Sequence, residues 1–439
     1  MAQFRTILKS LLNVKTKITG VEQIVDRDIV KLIFDVEPYS RDKMRCPHCL
    51  KRCRVYDQGS PVSIRLWRHL DAGMLQVWLR YKGPRIICRE HGVHMEAVPW
   101  AVHGSRFTKD FEQQVTWLSL NMSKKAIATF MKIDWATVGR CISRCRERIE
   151  PHPEERLHGL VNIAVDETSY RTGHKYITVI INQDTCSVVW AHEGHGKEVL
   201  MKFFDALTPE QLKAIKTVSG DGARWIDACI KERIPHATRC VDSFHVVTWA
   251  MEVVDKLRLN FAAERHAQAK AWEQKGCSDV SEQIRQEGQK IKATKYAAGK
   301  RPEHLTEKQK ERRMWLETWC PDLYIAINYK DCLSKLVRRC EADKIQENLN
   351  IWQNLARKSR IPEIRALGEK IGRHAQNIIN TVRLGFNSAR LEAVNNAIKL
   401  INRRSYGFRF VENLIDMIYL TFSRNPVQLP KPNFYHLNT

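Results

Sequence analysis

Val161-Asn162-Ile163-Ala164-Val165-Asp166 reads as a short β-type run ending in a carboxylate, with Glu167, Thr168 and Ser169 behind it. Two further β-rich runs follow at 176–181 and 187–191, parted by the turn residues Asn182-Gln183-Asp184-Thr185. Together they make a three-strand meander. Between 197 and 207, Val199, Leu200, Phe203, Phe204 and Leu207 fall on one helical stripe. A short strand at 215–218 then leads into Ser219-Gly220-Asp221-Gly222, a helix occupies 223–233, and a last strand covers 237–241. The order is three strands, helix, strand, helix, strand.

That order predicts an RNase H-like α/β core in which the first and fourth strands lie side by side, so that Asp166 and Asp221 meet at one sheet edge. Two carboxylates there can hold two divalent cations roughly 3.5–4 Å apart, which stabilise the attacking and leaving oxygens of an in-line phosphoryl displacement. Mg²⁺ (or Mn²⁺) suits such a site, because a hard cation takes carboxylates, waters and substrate phosphates without a Cys or His cage. Asp also serves as a plain strand-end turn residue. Asp242 and His245, three apart at the end of the last strand, can also approach a metal.

A late helix starting at 389 carries Leu391, Val394, Ile398 and Ile401 as its apolar stripe, while Glu392, Asn395, Asn396 and Lys399 fall largely on another face. Glu392, Asn395 and Lys399 at i, i+3, i+7 can face a phosphate backbone together; an ordinary solvated helix face has the same periodicity. With Asn387-Ser388, Arg403-Arg404, Tyr406-Gly407 and Glu412, this segment resembles the C-terminal signature of bacterial insertion-sequence DDE transposases of the ISL-three type. The likeness runs from the cysteines near Cys46 to this helix. It implies an enzyme that cuts and joins the ends of its own mobile element through metal-activated water and then a 3′-hydroxyl. By the same resemblance Glu392 is the third metal ligand beside Asp166 and Asp221, with two cations per active site. Asp242 and His245 become a supporting pair, joined in that role by Asn395 and Lys399.

The stretch between His245 and Glu392 is too long for the small sheet. It is rich in helix formers, and Trp249, Trp272, Trp315, Trp319 and Trp352 suggest a helical insertion with its own core. Residues 281–315 hold ten basic and five acidic side chains, with a break at Gly299-Lys300-Arg301-Pro302. Contact with a DNA backbone and a solvated charged surface account equally for that excess.

Near the N-terminus, Cys46-Pro47-His48-Cys49 and Cys88-Arg89-Glu90-His91 are two ligand pairs of the spacing that holds one structural Zn²⁺ through three thiolates and an imidazole. β-rich sequence at 75–87 lies between them, and Cys53 or His94 can replace His91 as fourth ligand. Residues 122–131 predict a helix capped by Ser123, followed by a turn at 132–135 and a second helix at 136–150. This pattern fits a helix-turn-helix, with Thr137, Arg140, Ser143, Arg144 and Arg146 as exposed DNA-contacting candidates; a plain helical hairpin has the same outline.

Lys and Arg number 72 against 49 acidic residues, a net charge of +23 and a pI near 9.6. That balance points to a nucleic-acid partner, and the family resemblance implies double-stranded DNA, the terminal inverted repeats and the target. The charge is spread along the chain and no lipidation motif is visible, which argues against a membrane role. Residues 1–13 carry an apolar stripe interrupted by Arg5 and Lys9, no run of 18 apolar residues occurs, and thirteen cysteines fit a reducing cytoplasm; the family resemblance implies a bacterial, nucleoid-associated protein.

The expected architecture is multidomain α/β: a zinc-binding β-rich domain at 1–105, a helix-turn-helix at 106–155, an RNase H-like core at 156–250 and 381–424 split by a helical insertion at 251–380, and a tail at 425–439. Bringing two element ends together calls for a homodimer assembled on DNA. The competing function is a catalytically silent DNA-binding regulator that keeps the fold.

Overall fold

In a computed structural model of the chain, Leu12 and residues 14–27, 29–58, 64–386, 389–423 and 425–431 are described. The N-terminal stripe at 1–13, apart from Leu12, Asn387-Ser388, and the tail beyond 431 lie outside these residues. The chain divides into two compact units, Met1–Pro153 with Ile398–Thr439, and Glu154–Ala397. Among the described residues no helix is long and apolar enough to cross a membrane.

In the first unit, β1 (Lys17–Asp26), β2 (Ile29–Glu37), β4 (Ile64–Arg68) and β5 (Gln76–Lys82) form a sheet of order β1-β2-β5-β4. Phe34, Val36, Trp67, Val77, Leu79 and Trp100 make its core. A second, three-stranded sheet joins β3 (Arg54–Asp57), β6 (Arg85–Cys88) and β7 (Gly92–Met95) in the order β3-β6-β7, and it carries the cysteines. Three helices follow: α1 (Lys109–Ser119), α2 (Lys124–Met131) and α3 (Trp135–Ile149). Ser123 caps α2 by accepting the Ala126 N–H at 3.3 Å, as its position before an apolar-periodic run predicts. Lys132 ends α2 in the left-handed conformation at φ 51°, so the turn dispenses with the glycine common at this position. The C-terminal helix Val411–Thr421 packs on α3.

The second unit is built on a five-stranded sheet of order β10-β9-β8-β11-β12. β8 (Asn162–Arg171), β9 (Lys175–Asn182) and β10 (Ser187–Glu193) are antiparallel neighbours, whereas β11 (Thr217–Gly220) runs parallel to β8 and to β12 (Thr238–Val241). The first and fourth strands are therefore adjacent. Ile163, Val165, Ile180 and Val218 from the sheet meet Leu200, Phe203 and Phe204 of α4 (Lys197–Asp205) and Ile226, Cys229 and Ile230 of α6 (Arg224–Arg233) in one core. A short helix not expected from the sequence, α5 (Pro209–Ala214), opens with a Thr208/Gln211 capping box.

The strand holding Asp166 does not stop there, as the apolar run suggested. It continues to Arg171, because β9 pairs with it along its whole length (Asp166 opposite Val179, Arg171 opposite Lys175), while β11 covers only Asn162, Ile163 and Ala164. Beyond β12, α7 (Ser243–Gln274) begins a run of helices whose own core includes Val254, Leu257, Leu316, Leu323, Ile327, Leu349, Trp352 and Ile364. Trp249 joins that core and Trp315 packs against it. The expectation fails for Trp272 and Trp319, which are 40% and 49% exposed; Lys275 covers the first at 5.0 Å and Trp315 stacks on the second. The edge strand β12 is closed by the helix Ala375–Arg383: the Thr381 hydroxyl donates to the Val241 carbonyl at 2.7 Å and the Asn380 amide to that of Arg239 at 3.0 Å.

Candidate active site and metal-binding residues

Three aspartates sit where the parallel strands β8, β11 and β12 pass or end. Strand alternation puts Asp166 on the face opposite Val165, away from the α4–α6 core. Burial lifts its carboxyl to about 6, against the opposing pull of His245, the Glu167 backbone N–H and a hydrogen bond from Asn395, while Asp242 adds to the rise. Asp166, Asp242, His245 and Asn395 thus share one electrostatic neighbourhood. Asn395 contributes its amide, and its buried Oδ1 has no partner.

Asp221 begins the turn after β11 and accepts the Ala223 N–H at 3.0 Å. Its charge is felt by Glu167 and by Lys370. Behind this turn, the buried Arg239 donates to the Asp221 and Cys240 carbonyls and, at 2.9 Å, to Asp227 of α6, so one guanidinium ties together β12, the Asp221 turn and a helix. Gly222 lies against Trp249, where a Cβ would stand 2.5 Å from the ring. Asp242 caps α7 by accepting the Phe244 N–H at 2.9 Å, and the His245 backbone N–H donates to the Asp242 carbonyl at 3.0 Å.

Glu392 is exposed on the helix Ala389–Arg404, one turn before Asn395, and Lys399 is exposed further along it. Asp166, Asp221 and Glu392 do not converge to the mutual 4.8 Å found for the cysteine cluster described below. Sequence reading passed over two residues here. Glu167, whose carboxylate is raised by burial and accepts the Gly196 N–H at 2.7 Å, faces Asp221; its adjacency to Asp166 was the available signal. Lys370 comes from the insertion helix Pro362–Arg373, with its ammonium 4.3 Å from the Trp249 ring centroid, and carries no local signature.

Cys46, Cys49, Cys88 and His91 converge in the first unit. The Cys49 and Cys88 sulfurs are 3.7 Å apart, and His91 Nδ1 stands 3.7 Å from Cys46 Sγ and 3.6 Å from Cys88 Sγ. Zinc–sulfur bonds of about 2.3 Å and zinc–nitrogen bonds of about 2.0 Å in a tetrahedron require edges of roughly 3.5–3.8 Å. The set fits zinc. The His48 N–H donates to Cys46 Sγ at 3.5 Å and Leu50 turns the knuckle at φ 57°. A hydrogen bond from His91, with backbone N–H groups, holds the Cys88 thiol down at about 6, in the direction of the thiolate that a metal needs. His94 lies outside this set.

The expected DNA-contacting face of α3 needs correction. Thr137 is buried and its hydroxyl accepts from Arg140 at 2.7 Å. Ser143 donates to Asp416 at 2.5 Å, Arg144 pairs with the fully buried Glu112 at 2.5 Å, and Arg146 pairs with Asp416 at 2.8 Å. Of the five, Arg140 alone is exposed; Lys125 and Lys132 on α2 and its turn are exposed as well. Ser143, Arg144 and Arg146 hold α3 to α1 and to the C-terminal helix. Lys124, between the Trp135 and Phe408 rings at 4.9 and 5.0 Å, is another buried cation, lowered by burial to about 8.

Three family profiles match the chain: the ISL3 DDE "Transposase" over residues 163–418, the "Helix-turn-helix domain of transposase family ISL3" over 96–145, and the "zinc-finger of transposase IS204/IS1001/IS1096/IS1165" over 42–91. The transposase for insertion sequence element IS1557 of Mycobacterium tuberculosis is 35% identical over 408 residues, covering 92% of this chain and 91% of its own. The transposase for IS1001 of Bordetella parapertussis is 26% identical over 387 residues, covering 87% and 89%.

Proposed function

Because the chain belongs to the ISL3 family of insertion-sequence transposases, we propose that it binds the terminal inverted repeats of its element and cuts and transfers their strands with Asp166, Asp221 and Glu392 as the magnesium ligands. The observation that carries this reading is the half-buried Asp166 carboxyl on β8 beside Asn395, His245 and Asp242, near where β11 and β12 end. The strand order β10-β9-β8-β11-β12, antiparallel then parallel, supports the reading of an RNase H-like core. An oxygen-only donor set suits a hard divalent cation, and the unpartnered Asn395 Oδ1 leaves a further oxygen for a bound water.

Two such cations, when bound, supply a nucleophile at neutral pH and stabilise the leaving 3′-oxygen. The residues contribute the rest. Asn395 orients the Asp166 carboxylate, His245 favours its charged form, and Asp242 fixes the start of α7. Arg239 holds the Asp221 turn, and Lys370 offsets charge around Asp221. In the N-terminal unit, Cys46, Cys49, Cys88 and His91 hold one structural zinc, and Arg140, Lys125 and Lys132 offer cations to the DNA backbone. Assembly as a homodimer on DNA brings the two ends of the element together.

Asp242 is the second candidate for the middle ligand, since it ends the neighbouring parallel strand in the same electrostatic neighbourhood as Asp166, whose carboxyl is raised first by burial and then by the Asp242 charge. Labelled DNA carrying the element end, incubated with Mg²⁺ or EDTA and with Asp166→Ala, Asp221→Ala and Asp242→Ala proteins, separates the readings. Cleavage that needs Mg²⁺, is lost in the Asp166 and Asp221 proteins and survives in the Asp242 protein is expected. Loss in the Asp242 protein with survival in the Asp221 protein moves the second ligand, and binding without cleavage by the unaltered protein leaves a DNA-binding regulator.

A further inference from the structure

Three histidines stand beside the thiolate set without belonging to it. His48 lies within the first cysteine pair, His94 is on β7, and His103 is in the loop leading to α1. Each brings one ring nitrogen to within 4.8 Å of the other two. The ring centroids are 4.8 Å (His48–His94), 5.2 Å (His48–His103) and 6.1 Å (His94–His103) apart, at 68°, 65° and 88°.

Edge-to-face aromatic packing alone is a weak reason for this cluster. Imidazoles are well hydrated, and His48 and His103 are exposed. His94 Nε2 lies 2.5 Å from the His91 carbonyl, to which its N–H donates, and in the neutral ring this leaves the Nδ1 lone pair for another partner. A metal-bound histidine typically makes such an outer hydrogen bond through its other nitrogen.

We propose that His48, His94 and His103 form a second metal site, separate from the Cys46/Cys49/Cys88/His91 site, that takes a first-row divalent cation of the zinc class. An all-nitrogen set excludes Mg²⁺ and Ca²⁺, which need oxygen ligands, and suits Zn²⁺, Co²⁺ or Ni²⁺. Zinc–nitrogen bonds of about 2.0 Å bring the nitrogens to roughly 3.3 Å from one another, so the exposed rings draw together on binding. Three ligands leave a fourth position for water. His48 also stacks on His91 at 5.1 Å and 24°, so the two sites share a wall. A cation here cross-links the zinc-finger segment to the segment that enters the helix-turn-helix, since His48 falls in the 42–91 match and His103 in the 96–145 match.

Cobalt substitution in the untagged full-length chain distinguishes the sites. A thiolate site gives an intense sulfur-to-cobalt charge-transfer band, whereas an all-imidazole site gives only weak d–d bands. In a protein carrying Asp166→Ala and Asp221→Ala, which disable the proposed carboxylate site, the expected result is two equivalents bound at micromolar Co²⁺, one with and one without the charge-transfer band. His103→Ala and His48→Ala each lose the second equivalent while keeping the band and an unchanged circular dichroism spectrum. A single equivalent in all proteins, or a second taken up only at millimolar Co²⁺, overturns the site. Absence of the charge-transfer band with the imidazole equivalent retained counts against the structural zinc and leaves this site standing.

Discussion

Gly222 shows how much of the candidate active site hangs on one missing methyl. Its alanine variant has nowhere to place a Cβ, since the Trp249 ring occupies the position at 2.5 Å and is itself held in the insertion core. Overpacking of this kind costs about 1–3 kcal/mol, and the turn bearing Asp221 is the part free to move. Gly222→Ala is therefore expected to lower end cleavage tenfold or more while DNA affinity, followed by fluorescence anisotropy, stays within twofold; unchanged cleavage contradicts the close packing. At this scale the sequence reads unevenly. The aspartates announce themselves by ending apolar runs and Asn395 by its spacing from Glu392 in the family-like helix, but Lys370 reaches the site only through the tertiary fold. The α3 cations misled because their partners, Glu112 and Asp416, lie on other elements, the latter in the C-terminal helix.

Among elements, the insertion is held by a buried ionic knot. Arg313 donates to the Ala297 and Lys300 carbonyls at 2.8 and 2.6 Å and pairs with Asp331 at 2.6 Å, while Lys330 donates to the Ala298 carbonyl at 2.8 Å and pairs with the same carboxylate at 2.6 Å. Two cations thus cap the carbonyl end of the short helix Lys295–Gly299, with one aspartate between them. Removing the acid from a buried pair leaves charge uncompensated, at a cost of about 3–5 kcal/mol. Asp331→Ala should shift urea unfolding of the chain by that order, with Asp331→Asn losing less; a shift below about 1 kcal/mol would show the knot to be well solvated. Strand and helix order was legible because periodicity and turn residues are local signals. The β1–β2 hairpin and the extension of β8 past Asp166 were not, since pairing with a neighbour decided both.

For the whole molecule, the net charge of +23 has a direct reading. If six to ten phosphates are contacted, affinity for duplex DNA falls by about 10³–10⁵ between roughly 50 and 200 mM salt. Anisotropy titrations over that range are expected to show a steep linear decline of log affinity with log salt, and a flat response would remove backbone contact as the main source of binding. The order of zinc finger, helix-turn-helix and transposase segments was readable because each carries its own spacing of ligands or helices, whereas the closing of β12 by a later helix was not. The seal on β12 illustrates this through time. Thr381 lies 140 residues after Val241, so at about 5–20 residues per second of synthesis the five-stranded sheet waits roughly 7–30 s on the ribosome with its last strand uncovered. A nascent chain released in that interval lacks both the seal and the helix of Glu392, so under the proposed assignment it carries an incomplete set of metal ligands.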